Sequence, residues 1–173
     1  GTPVFDLPCA RGHYYSVVIA RKDDSRTAFV DFSDAVIAVN GWDSQSGWAA
    51  AQNFASDHDF SFQKSHVSGG HRASALAVAE GVADIAALDA VTWNMLTRYD
   101  EFTRDIKVIT HTPPTPALPY ISALSHDAGD LGNAISAAID QMSAEEREAL
   151  CLKGFTAIHA DKYLAVPTPP PLA

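Results

Sequence analysis

The stretch Ser65-His66-Val67-Ser68-Gly69-Gly70-His71-Arg72-Ala73-Ser74-Ala75-Leu76-Ala77-Val78-Ala79-Glu80-Gly81, continued by Val82-Ala83-Asp84-Ile85-Ala86-Ala87-Leu88-Asp89, decides how this chain folds. It reads as a short strand, a glycine turn and a helix that Ser68 caps and Gly81 stops in the left-handed conformation. The run from Ala83 to Leu88 is almost wholly apolar and closes on a carboxylate. That is the pattern of a buried parallel strand, with Asp89 at its carboxyl end, where ligands gather in open α/β sheets. A helix start with free N–H groups and a serine and histidine beside it is a ready anion site.

A second unit of the same kind lies upstream. Val36-Ile37-Ala38-Val39 reads as a strand, Asn40 to Gly47 as a loop and Trp48 to Phe54 as a helix. That helix opens on Ser44-Gln45-Ser46-Gly47, where two hydroxyls and several unpaired N–H groups converge. The same serines serve equally as a plain N-cap, worth about 1 kcal/mol. After Asp89 come a helix, Val91 to Tyr99, and a strand, Ile106 to Thr110. The alternation predicts an α/β fold with a mostly parallel sheet flanked by helices.

The flanks are less regular. Gly1 to Arg11 shows no period, whereas His13 to Ala20 is β-rich, with Tyr14 and Tyr15 on opposite faces of one strand. His111 to Pro119 is a stiff, proline-rich crossover. Tyr120 to Leu124 reads as a further strand and Leu131 to Met142 as a helix. The next helix is capped by Ser143, with Glu146 in capping-box position, and ended by Gly154. The tail Pro167-Thr168-Pro169-Pro170-Pro171 is expected to be extended and exposed to solvent.

The 173 residues, 47% of them hydrophobic, suffice for one ordinary domain or two small lobes. No apolar run approaches the roughly 20 residues that span a bilayer, so the chain is not expected to cross one. A formal charge of -9 opposes binding to nucleic acid or to an anionic membrane surface. An anionic ligand must then be held by local dipoles. Two cysteines, Cys9 and Cys151, allow either one disulfide or two thiols.

Candidate chemistry sits at the ends of elements: Ser44 and Ser46, Ser68 and His71, and Asp89. Neither serine of the upstream turn lies in a Gly-x-Ser-x-Gly elbow, the histidines are scattered without metal-ligand spacing, and no Walker or Gly-x-Gly-x-x-Gly loop occurs. Catalysis, a metal and a nucleotide cofactor are therefore not expected. What remains is passive recognition of a small oxyanion by helix N-termini and a histidine. Asp89 is open to two readings, as the N-cap of the Val91 helix or as an acceptor that selects a ligand carrying a proton or an amine. The second favours protonated phosphate or phosphonate over sulfate, because sulfate leaves a buried carboxylate unpaired.

Tyr14-Tyr15-Ser16-Val17-Val18, Asn40 with Ser44-Gln45-Ser46-Gly47, Ser68-Gly69-Gly70-His71-Arg72-Ala73-Ser74, and Val78 through Asp89 together resemble the phosphonate-binding periplasmic proteins of ABC transporters. The resemblance implies a type II periplasmic-binding-protein fold, two α/β lobes joined by crossover strands with ligand held in the cleft. It implies lobe-to-lobe crossing within 1–31, the second lobe at 32–111, and return to the first lobe over 112–173. The first lobe is then incomplete in this chain, which reads as the C-terminal part of a longer protein. Tyr14, Tyr15, Ser44, Gln45, Ser46, Ser68, His71 and Asp89 stand where the family holds its ligand. Gln45 and Gly70 depart from the small hydroxyl residues expected there. Function, by the same implication, is that of a periplasmic or membrane-anchored extracytoplasmic solute-binding component that hands a phosphonate, phosphate or phosphite to a permease, without cofactor. The alternative is a ligand-sensing effector or receptor domain of the same fold.

Overall fold

The computed structural model describes residues 1–172. In chain order the strands and helices are β1 (Thr2–Phe5), β2 (His13–Tyr14), β3 (Ser16–Arg21), β4 (Val36–Val39), α1 (Ala50–Ser56), β5 (Lys64–Val67), α2 (His71–Ala79), β6 (Ile85–Asp89), α3 (Ala90–Tyr99), β7 (Ile106–His111), β8 (Thr115–Pro116), α4 (Ala128–Gln141), α5 (Ala144–Ala149), β9 (Leu152–Thr156) and α6 (Ala160–Leu164). A π-helical turn, Gln45–Ala49, leads into α1, and 3₁₀ turns occupy Phe29–Phe32 and Glu101–Asp105. The chain forms two compact units: Gly1–Tyr14 with Pro114–Val166, and Tyr15–Pro113 with the C-terminal residues from Pro167.

The second unit is built on a five-stranded sheet of order β5-β4-β6-β3-β7. β4 is parallel to β5 and β6, and β3 is antiparallel to both β6 and β7. Four strands thus share one direction and β3 alone opposes them. The β-rich segment expected as one strand is split, since β2 pairs in the first unit and β3 in the second. Side-chain alternation sorts the sheet into two buried faces. Val18, Ala20, Ile37, Val39, Ile85 and Ala87 join Phe29, Phe32, Trp48, Ala51, Ala55 and Phe62 in one core. On the other parity Val17, Ile19, Ala38, Ala86 and Leu88 are equally buried, and α2 packs against β3, β4 and β6. Small alanines at Ala75, Ala77, Ala83 and Ala86 allow that helix to lie close to the sheet. At the rim, Arg26 forks onto both oxygens of Asp24, reaches Asp84 Oδ1 at 2.9 Å and stacks over Phe32. That pairing holds the Asp24 carboxyl at a pKa of about 2.

The first unit contains two small antiparallel sheets, β1-β9 and β2-β8. β1 falls where the sequence shows no period. It is four residues long, its partner is some 150 residues away, and a register shift follows Val4. Thr2 is wholly buried and its hydroxyl donates to Ala117 O at 2.8 Å. The strand expected at Tyr120 to Leu124 does not form: these residues have no strand partner among the described residues, and Ile121 is 90% exposed. α4 starts at Ala128, earlier than expected, because the Asp127 carboxylate accepts from Asp130 N and caps it there. The Ser143–Glu146 capping box forms as expected. Gly154 does not end α5. It lies inside β9, and the helix closes at Leu150 ahead of Cys151, which takes φ +52°. Cys9 and Cys151 are both free thiols. No helix among the described residues is long and apolar enough to cross a membrane.

Candidate functional site

The site grows from the carboxyl ends of β4 and β6. After Val39 the chain passes through Asn40 to Ser44, whose hydroxyl accepts from Gly47 N at 3.0 Å and caps the π turn. In that turn Ser44 O accepts from Ala49 N, five residues on, so the first turn is wider than an α-helical one. Ser46, only 5% exposed, is held on two sides. Its carbonyl accepts from Ser16 Oγ on β3, and its own Oγ lies 2.8 Å from His71 Nε2. A side chain on Gly47 has no room, since a Cβ there would meet Asn40 Oδ1 and His71 Cε1.

His71 opens α2. Its N-cap is Gly70, which offers no side chain, rather than the expected Ser68. Ser68 instead turns inward, with its Oγ 2.7 Å from Ser74 Oγ and donating to Val39 O. Gly69 adopts φ +86°, the left-handed region that glycine enters without cost, and a Cβ on either glycine would meet nothing within 4 Å. The backbone at this helix start is therefore open. Asp89 ends β6 with its two oxygens differently engaged: Oδ1 accepts from Thr92 N at 2.8 Å and caps α3, and Oδ2 lies 3.5 Å from His71 Nε2. The cap reading of this residue is thus observed, while its second oxygen faces His71.

Burial lowers the His71 pKa below the ordinary histidine value, an effect that the Asp89 charge opposes only in part. The ring is neutral near pH 7 and carries one N–H. A carboxylate only accepts, so the proton belongs on Nε2, between Asp89 and Ser46. Nδ1 is left as a bare acceptor. It and Asn40 Oδ1 are buried without a hydrogen-bond partner among the described residues.

Of the residues singled out from sequence, Ser46, His71 and Asp89 come together, and Ser44 caps the turn that carries Ser46. Gln45 belongs to the same turn and accepts from Ala50 N through its carbonyl. Tyr15 stands against the His111 ring, with centroids 4.9 Å apart, and its carbonyl accepts from Ala90 N. Tyr14 is a buried residue of β2 in the first unit. Asn40, Gly47 and Ser16 were not among the candidates. The available signal was positional: an asparagine directly after a strand, and a glycine closing a double-serine turn.

Residues 8–163 match the family described as ABC transporter, phosphonate, periplasmic substrate-binding protein. The chain belongs to that family. Phosphonate-binding relatives of known structure share its fold. A binding-protein component of an ABC phosphonate transporter from Pseudomonas aeruginosa superposes with a TM-score of 0.71 at 21% identity, covering 94% of this chain and 58% of that one. PhnD1 from Prochlorococcus marinus, solved in complex with methylphosphonate, gives 0.69 at 18% identity over 88% of this chain and 64% of its own. XAC2383 from Xanthomonas citri, solved bound to ATP, gives 0.67 at 15% identity, covering 95% and 67%. The chain thus spans about three fifths of the length of the first two phosphonate-transport relatives. No curated protein matches it in sequence.

Proposed function

We propose that this chain is the ligand-holding part of an extracytoplasmic ABC-importer binding protein, and that its second unit binds one small phosphorus oxyanion: phosphonate, phosphite or phosphate. The observation that carries this reading is the meeting of Ser46 Oγ, His71 Nε2 and Asp89 Oδ2 at three helix starts. The helix ends and the Ser46 hydroxyl, which His71 orients, supply donors for phosphoryl oxygens. Asp89, an acceptor, offsets them and favours a ligand that keeps a proton or carries an amine. Membership of a transport-binding family supports a permease as partner and a location outside the cytoplasm.

The same three residues suggest a hydrolytic triad by composition, and their geometry argues against one. In a triad the carboxylate holds one ring nitrogen and the serine faces the other. Here Ser46 and Asp89 share Nε2 while Nδ1 has no partner among the described residues. A ring that carries its proton on Nε2, the side that Asp89 faces, has no lone pair there to take the Ser46 proton. We read the site as binding without turnover. Calorimetry of the full-length protein with phosphate, phosphite, methylphosphonate and sulfate tests the assignment. Binding of at least one phosphorus oxyanion with weaker binding of sulfate is expected, and failure to bind any of them overturns it.

A further inference from the structure

The C-terminal tail is exposed along most of its length, as its composition suggests, yet it is not free. Pro167-Thr168-Pro169-Pro170-Pro171 has almost no backbone N–H to offer and cannot pair as a strand, so it can be held only by its carbonyls and its apolar faces. The second unit grips it in that way. Asn53 Nδ2 of α1 donates to Pro167 O at 3.0 Å, and Trp48 Nε1 donates to Pro169 O at 3.3 Å. Leu172 packs against the core cluster that contains Trp48, with Trp42 and Phe54 at its margin. Trp42 meets Trp48 edge-to-face at 5.0 Å. Trp48 is fully buried, so its indole N–H would lack this partner if the tail were absent.

Indole and amide donors on alternate carbonyls of a proline-rich segment, beside a cluster of aromatic side chains, are elements by which grooves recognise polyproline II peptides. We propose that the second unit carries a groove for an extended proline-rich peptide, and that the chain's own residues 167–172 fill it in cis. This inference stands apart from the oxyanion reading, because it uses none of Ser46, His71 or Asp89.

The test compares the intact chain with one ending at Val166, each titrated with a labelled synthetic peptide of residues 166–173. The effective concentration of a tethered tail is of millimolar order, so peptide at tens of micromolar should not displace it. Saturable one-to-one binding to the shortened chain is expected, with a change in tryptophan emission and at least about tenfold weaker binding to the intact chain. In the shortened chain Trp48→Phe keeps an aromatic ring, though a smaller one, and deletes the donor, and should weaken the peptide at least about fivefold. Should the shortened chain fail to fold, Leu172→Ser in the intact chain serves instead, by loosening the tail and admitting the peptide. Equal binding to intact and opened chains, or binding to neither, overturns the proposal.

Discussion

A Cβ placed on Gly47 would stand 1.9 Å from Asn40 Oδ1, so the glycine and the asparagine between them leave no space for another atom. Asn40 is a short side chain with its oxygen buried, and it has little freedom to withdraw. Gly47→Ala should therefore destabilise the second unit by about 1–3 kcal/mol through overpacking. Asn40→Ala added to Gly47→Ala should recover most of that loss. Urea denaturation of the two single variants and the double measures the coupling, and additive losses would show that the pair does not share one space.

Asp89 separates into two roles by substitution. Asparagine keeps an oxygen for Thr92 N and should leave the melting temperature nearly unchanged, whereas alanine should cost about 1 kcal/mol. Binding should respond differently, since Asp89→Asn loses the anionic acceptor facing His71. Affinity for methylphosphonate is expected to fall by on the order of tenfold or more, and preference over sulfate to shrink with it. Unchanged titrations for both ligands would leave Asp89 as a cap alone.

The pH dependence of stability follows from His71. The unfolded chain takes up this proton at ordinary histidine pH, while burial makes the folded chain resist it. Just below the ordinary value the unfolded state thus holds more protons. Stability should fall as the pH drops through that window and be regained above it. Melting temperatures of wild type and His71→Gln from about pH 5 to 7.5 check this, with a flatter acid limb expected for the variant. Parallel curves would remove His71 as the cause.

The legible parts of the sequence were those whose information is local. β4, β6, α2 and α3 are strands and helices that announce themselves by apolar residues and a stop, whereas β5, Lys64–Val67, is polar and was marked only by the glycine turn after it. β1 was silent because its reason to be a strand is β9, at the far end of the chain. Tyr120 to Leu124 misled for the converse reason, since β-prone residues form a strand only where a partner meets them. At the site the sequence placed Ser44, Ser46, His71 and Asp89 at element ends, but it could not show that Ser46 and Asp89 share one nitrogen. The π turn was equally hidden, because one widened turn leaves no periodic mark. In the tail, proline content reported extension and exposure, and only Asn53 and Trp48 show that the exposed segment is also held.

Ser16 N donates to Thr112 Oγ1 at 3.0 Å and Thr112 N donates to Ser16 O at 2.9 Å. These two residues stand where the chain passes into the second unit and where it leaves, so nearly a hundred residues begin and end at one point. A segment closed in this way is architecturally a cassette. It can be received at a single break in a host chain without pulling the host's cut ends apart, because the closure is already made by the cassette's own strands. Genetic transfer of such a unit between scaffolds is then a matter of one insertion site rather than of a redesigned fold, provided that the segment filling the groove over Trp48 travels with it or is supplied as a separate peptide.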